Sequence, residues 1–172
     1  MDPLSQLLML NDMRGYVARD CHFSGEWRSP HAAGEWSQIR WHMVLAGSCR
    51  LEIPGGHPVP LEQGSLLFLP HNSAHRLLPE GADSATHLLC GVQILPHSAS
   101  PLLASLPECL LFNSRQQGQL ALLQATGQLL SDEFSQQGQG HNAIVSQTMA
   151  LLFALAIRAW LAQPNQSGNL VA

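Results

Sequence analysis

The sequence predicts a mainly β domain, a sandwich or small antiparallel barrel, with a pair of helices at its C-terminal end. Three observations carry this. Short extended runs recur at even spacing from residue 16 to residue 95, separated by clusters of turn residues. After Pro96 the apolar pattern changes to a helical one. No internal repeat is present.

The extended runs are 16–23, 38–45, 48–53, 65–69, 75–78 and 86–95. Ser29-Pro30-His31, Pro54-Gly55-Gly56-His57-Pro58 and Pro79-Glu80-Gly81-Ala82-Asp83 read as turns between them. Pro54-Gly55-Gly56 is a hairpin tip whose loop can exceed two residues. Two helices follow, 120–134 and 142–163, joined by the polar stretch Gln136-Gln-Gly-Gln-Gly140. In the second, Val145, Met149, Leu152, Leu155, Ala156 and Ala159 share one face. Ile144, Leu151, Ile157 and Trp160 widen the apolar surface, so that helix needs burial on two sides, one of them against another subunit.

Composition narrows the function. With 172 residues the chain can bury one sizeable core without cross-links. All eight basic residues are Arg and the net charge is −4, which removes the electrostatic footprint of a nucleic-acid-binding surface. No secretory signal pattern opens the chain, and the apolar run 151–162 is short and broken by Arg158, so a cytoplasmic protein without a membrane span is expected. Four cysteines with no CxxC pair argue against a disulfide framework or a zinc ribbon.

A spaced set of residues is more specific. Gly47 lies five positions after His42, and Gly64, Pro70 and His75 follow at Gly-x5-Pro-x4-His. The glycines sit where extended runs break and φ must turn positive, and Pro70 ends a strand because it has no N–H to donate. These spacings resemble the two motifs of the cupin barrel, a double-stranded β-helix. The opening Met1-Asp-Pro-Leu-Ser-Gln-Leu-Leu-Met-Leu-Asn11 adds to this, as do Ile39-Arg-Trp-His42, Leu69-Pro-His-Asn-Ser-Ala-His-Arg76 and Leu155-Ala-Ile-Arg-Ala-Trp-Leu-Ala-Gln163. Together they are similar to the N-terminal regulatory domain of AraC-family transcriptional activators, in particular those that answer reactive chlorine species such as hypochlorous acid.

The resemblance implies three parts: a sensor barrel over 1–112, a helical dimerisation hairpin over 113–163, and a linker over 164–172 to a helix-turn-helix DNA-binding domain that this chain lacks. It implies a homodimer that meets DNA only through that domain. It also implies that Cys21 and Cys90 are the redox-active cysteines, oxidised reversibly to a disulfide within or between chains. Parity places Cys21 with Val17 and Phe23, and Cys90 with Leu88, Val92 and Ile94, on apolar faces. Sensing asks for a lowered thiol pKa and access. Cys49 and Cys109 read as small buried hydrophobes.

His42 and His75 occupy the positions where cupins place metal-binding imidazoles. A second His beside His42 is missing and Glu52 falls on another strand, so the three-His, one-carboxylate iron site of cupin dioxygenases is not expected and the chain does not read as an enzyme. Cys21, His42, His75 and Cys90 can instead form a Cys₂His₂ set suited to Zn²⁺. Without a metal, His42 and His75 orient or protonate the thiols. His31 and His71, one in a turn and one after Pro70, are further candidates for the barrel mouth, and His57, His87, His97 and His141 read as ordinary surface or core residues. Trp27, Trp36 and Trp41 pack the core and rim rather than line a ligand wall. Two rival functions remain: a barrel that holds a small effector, disfavoured because the inward positions read as Val, Leu, Ile and Cys, and a metal-dependent cupin enzyme.

Overall fold

A computed structural model describes residues 1–10, 13–34, 38–81, 85–113 and 117–163. Trp36 and the expected linker 164–172 lie outside these residues. A short helix α1 (Pro3–Leu10) leads into eight strands: β1 (Arg14–Phe23), β2 (Ser29–His31), β3 (Gln38–Ala46), β4 (Cys49–Glu52), β5 (Val59–Leu61), β6 (Leu66–Leu69), β7 (His75–Pro79) and β8 (Thr86–Ile94). A 3₁₀ turn, α2 (Ser100–Ser105) and β9 (Leu110–Phe112) follow, then α3 (Gln117–Gln136) and α4 (His141–Leu161). The strands form two antiparallel sheets, ordered β1-β8-β3-β6-β9 and β2-β7-β4-β5.

The six longer strands and both long helices fall where the apolar patterns put them. The short elements α1, β2, β5, α2 and β9 carry too few residues to show a period and were not legible. Ser29-Pro30-His31, expected as a turn, is an edge strand, and an edge is where a sheet tolerates proline. Gly47 and Gly64 take φ of 77° and 89°, as the breaks in the extended runs require.

Period-two alternation splits the larger sheet into two faces. Ile39, Trp41, Met43, Leu66, Phe68 and Leu89 pack with α4 residues such as Met149, Phe153 and Trp160 in one core. Val44, Leu67, Leu69, Leu88 and Cys90 turn the other way and join Cys49, Leu51, Leu61 and Leu77 of the smaller sheet in a second core between the sheets. Phe153 is fully buried and meets Phe68 edge-on at 6.2 Å. The helices therefore share a core with the barrel wall.

A β-bulge alters one expectation. The register runs from Val17↔Gly91 to Arg19↔Cys90, leaving Ala18 as the extra residue. The bulge inverts parity, so Val17 joins the helix-side core while Arg19 and Cys21 share the face of Cys90 and Leu88. Cys21 and Val17 do not share a face; only the part of the alternation after the bulge, Cys21 with Phe23, holds.

The apolar run 151–162 is also longer in the structure than a reading of that run alone. It belongs to α4, which with 21 residues is long and apolar enough to cross a membrane, but half of its most apolar window is buried within the domain. Its role here is packing against β1 and α3. Truncating Phe153 to Ala is expected to cost about 3–5 kcal/mol, read as a lower urea midpoint at unchanged slope. A midpoint within experimental error of the parent's contradicts the shared core.

Candidate functional site

The inward face of the larger sheet turns polar at one end. Arg40 and His42 on β3 stand two residues apart, opposite Val92 and Cys90 of β8. Arg19 of β1 stands on the far side of Cys90. From the smaller sheet, β2 and β7 bring His31 and His75 together as a directly paired couple. The expectation that inward positions are nearly all Val, Leu, Ile and Cys fails at this end because two arginines and three histidines gather there.

Hydrogen bonds order these groups into a chain. His75 Nδ1 donates to the Ser73 carbonyl at 2.9 Å, which leaves His75 Nε2 as an acceptor. His42 Nε2 lies 2.8 Å from it and must donate. His42 Nδ1 is then a lone-pair acceptor, and the Cys90 thiol sits 2.9 Å away as its donor. The order is Cys90 to His42 to His75 to Ser73. His31 completes the cluster, stacked on His75 with ring centroids 4.6 Å apart. Arg40 Nη1 donates to His31 Nδ1 at 2.6 Å, so His31 Nε2 donates to Ser29 Oγ at 3.1 Å.

All three imidazoles are held neutral. Burial, then the neighbouring His75, His31 and Arg40, push His42 well below its ordinary range. Burial together with His75, Arg40 and Arg19 brings His31 down to about 4. Burial and Arg40 lower His75, against the opposing effect of its bond to Ser73.

The thiols move the other way. Burial pushes Cys90 up to about 12, and burial raises Cys21, with Arg19 acting against it. The lowered thiol pKa expected for a sensor is absent from the resting arrangement, because burial outweighs the nearby guanidinium. Cys49 and Cys109 are also raised to about 12 by burial, and Cys49 lies fully within the inter-sheet core. All four cysteines are free. Cys21 is opposite Leu88 and Arg19 is opposite Cys90, so Cys21 and Cys90 are diagonal neighbours on one face.

The Cys₂His₂ set does not converge on one point. Cys90 sits at the Nδ1 edge of His42, and His75 at the Nε2 edge of the same ring. Ring nitrogens of His31, His42 and His75 do lie within 4.8 Å of one another, a group that includes neither cysteine. Yet the 2.8 Å gap between His42 and His75 is a hydrogen bond, where two imidazoles on one zinc stand about 3.3 Å apart. Arg40 also occupies a His31 nitrogen and sets a cation beside the cluster. To hold a metal ion together, the three imidazoles would have to part the His42–His75 hydrogen bond and release Arg40 from His31.

Two cavities flank the cluster. One of about 260 Å³ is lined by Arg19, His31, Arg40, His42 and Cys90 among others. The other, of about 690 Å³, opens on His31 and His75 from the side of Glu52, Pro54 and Arg76. His71, expected near the mouth, instead donates from Nε2 to the Leu103 carbonyl of α2. Trp41 is buried on the helix side and Trp27 stacks on Phe23 at 4.4 Å, so both pack the core. Arg40 was overlooked in the sequence although its two-residue spacing from His42 put it on the same face.

The neutral imidazoles set a pH dependence. In the unfolded chain histidines titrate near 6.5, so as pH falls that state binds protons before the native state does. Their contribution is complete above about pH 6.5 and is lost as pH falls toward about 4, where His31 itself titrates. Thermal melts are expected to show a steeper fall in Tm from pH 7 to pH 4.5 for the parent than for His31→Gln. Parallel curves contradict a neutral, buried His31.

A cupin family model (Cupin_6) matches residues 2–162. The chain is 40% identical over 173 aligned residues to the RCS-specific HTH-type transcriptional activator RclR of Escherichia coli K12, and covers 61% of that protein. It is 31% identical over 77 residues to an uncharacterised HTH-type transcriptional regulator of Haemophilus influenzae, covering 26% of it. The chain thus spans under two thirds of either relative's length. Among solved structures, unsaturated fatty acid-bound ToxT of Vibrio cholerae superposes with a TM-score of 0.48 at 12% identity, over 84% of this chain and 52% of that one. The cupin domain of an XRE family regulator of Enterobacter cloacae superposes at 0.39 and 12% identity, over 50% of this chain and 99% of that one. By the match over nearly its whole length, and by its two facing antiparallel sheets, the chain belongs to the cupin family.

Proposed function

We propose that this cupin domain is the sensor and dimerisation part of a cytoplasmic transcriptional activator, and that it answers hypochlorous acid by joining Cys21 to Cys90. The likeness to an RCS-specific activator supports the oxidant class. DNA contact falls to a helix-turn-helix domain of the full-length protein, in keeping with the net charge of −4 here.

The observation that carries the chemistry is the 2.9 Å contact between Cys90 Sγ and His42 Nδ1, one diagonal step from Cys21. Cys21 is partly exposed and Cys90 is buried, so the oxidant meets Cys21 first. The thiol takes Cl⁺ from HOCl, giving Cys21 S–Cl and water. Cys90 sulfur then attacks that sulfur, the S–Cl bond breaks, chloride leaves, and the Cys90 proton passes to His42 Nδ1. HOCl is reduced to chloride as two thiols become one disulfide. His75 Nε2 accepts from His42 throughout and stabilises the imidazolium formed. The base thus supplies at the moment of attack what the raised thiol pKa withholds at rest. No metal enters this scheme.

The bridge changes shape as well as chemistry. Diagonal neighbours stand about 7–8 Å apart at Cα, beyond the span of about 4.4–6.8 Å that a disulfide accepts. Closing it draws β1 along β8 next to the Ala18 bulge, where an unpaired residue can absorb the slip. β1 also carries α4 and α3, so the slip reaches the helices. Leu122 and Leu129 on α3, and Ile144 and Leu151 on α4, stay 39–51% exposed, each pair seven residues apart along one line of its helix. We assign this stripe to the second copy in a homodimer. The larger cavity favours one other reading, a small effector seated against His31 and His75.

Two results test the proposal. After hypochlorous acid is mixed in, His42→Gln is expected to form the disulfide about 100-fold or more slowly than the parent, followed by quenched mass spectrometry. An unchanged rate contradicts the base. In sizing with light scattering, the chain is expected to be a dimer that Leu129→Glu with Leu151→Glu converts to a folded monomer. A parent that is monomeric, or a variant that stays dimeric, removes the helical interface.

A further inference from the structure

The cavity of about 260 Å³ beside Cys90 carries charge that no acid among the described residues balances. Its lining includes Arg19 and Arg40, with His31 and His42, and among the described residues it contains no carboxylate. The acids nearby in sequence are engaged elsewhere. Asp20 is turned to the other face of β1, where it accepts from His87 and from the Ser131 hydroxyl. Glu52 pairs with Arg50 and Arg76.

Arg40 spends one N–H on a neutral partner, His31 Nδ1, and its Nε–H is buried with no acceptor among the described residues. Arg19 adds a second guanidinium close enough to act on His31, Cys21 and Cys90. Arg19 stays exposed, but Arg40 is half-buried with its Nε–H out of water, and a cation partly withdrawn from water is stabilised when an opposite charge meets it. Two guanidiniums around a cavity of this size are complementary to one small anion. Their planar forks match a pair of oxygens on one centre better than a spherical halide.

We infer that this cavity binds a small monovalent oxyanion, with a simple carboxylate as its representative, held by Arg40 and Arg19 beside the Cys90 thiol. Zinc is disfavoured here by the same charges that attract the anion. The inference rests on charge and shape alone. It holds or fails whether or not the thiols are redox-active, so an anion that binds to a chain whose thiols resist oxidation leaves it standing.

The test is a titration of the full chain with sodium acetate at pH 7, with sodium chloride at equal ionic strength as the parallel arm. Arginine Nε–H signals in proton–nitrogen NMR report the site. Acetate is expected to shift the Arg40 signal along a saturating curve with one ion per chain. Arg40→Met and Arg19→Met are each expected to weaken binding about ten-fold or more, and Arg40→Lys to recover part of it. Arg19 is exposed, so its variant keeps the test valid if replacing Arg40 unfolds the chain. A linear shift shared by acetate and chloride means bulk screening and overturns the site. Saturation by chloride as tight as by acetate overturns the oxyanion class. Acetate affinity unchanged in both methionine variants overturns the assignment to these arginines.

Discussion

The fold turns on β8, which is paired on both edges, to β1 on one side and β3 on the other. Double pairing fixes the register of three strands at once and with it the face that each of their residues presents. One face takes Trp41, Met43 and Leu89 to the helices, and the other sends Arg40, His42 and Cys90 inward. A slip of one residue in β8 turns Leu89 inward and sends Leu88 and Cys90 toward the helices, taking the thiol away from His42. Such a slip is expensive enough to hold the site in place without any metal or disulfide.

The inward face accepts polar groups because they satisfy one another. Two imidazoles, a thiol and the Ser73 carbonyl form a chain in which each donor has one acceptor. That chain has a direction, set at its far end by a backbone carbonyl that can only accept. The direction leaves His42 Nδ1 able to take a proton from Cys90. Neutral imidazoles and a protonated thiol are thus a resting state prepared for one transfer. Arg40 and Arg19 stand outside the chain, and their charge is what the smaller cavity leaves open to a ligand.

Much of this was legible in the sequence, for definite reasons. The strands 38–45 and 86–95 are long enough for alternation to show, and it placed Cys90 with Leu88 and Val92 correctly. The positions of Gly47, Gly64 and Pro70 follow from backbone sterics, which sequence states directly. Three things were hidden. A bulge has no sequence period, so Ala18 inverted half of β1 without a sign. His31 looked like a turn residue because Pro30 precedes it, yet the edge of the smaller sheet accepts that proline and pairs His31 with His75. The tautomer order depends on Ser73, whose part is played by backbone and leaves no mark on residue type.

The claim at the centre of this account is that one oxidant molecule joins Cys21 to Cys90 within a single chain. Peptide mapping under non-reducing conditions, after one equivalent of hypochlorous acid, addresses it directly. The account predicts a linked pair of peptides carrying Cys21 and Cys90 on a chain of monomer mass, with Cys49 and Cys109 still free. A bridge between two chains, a bridge that uses Cys49 or Cys109, or four thiols left intact would contradict it.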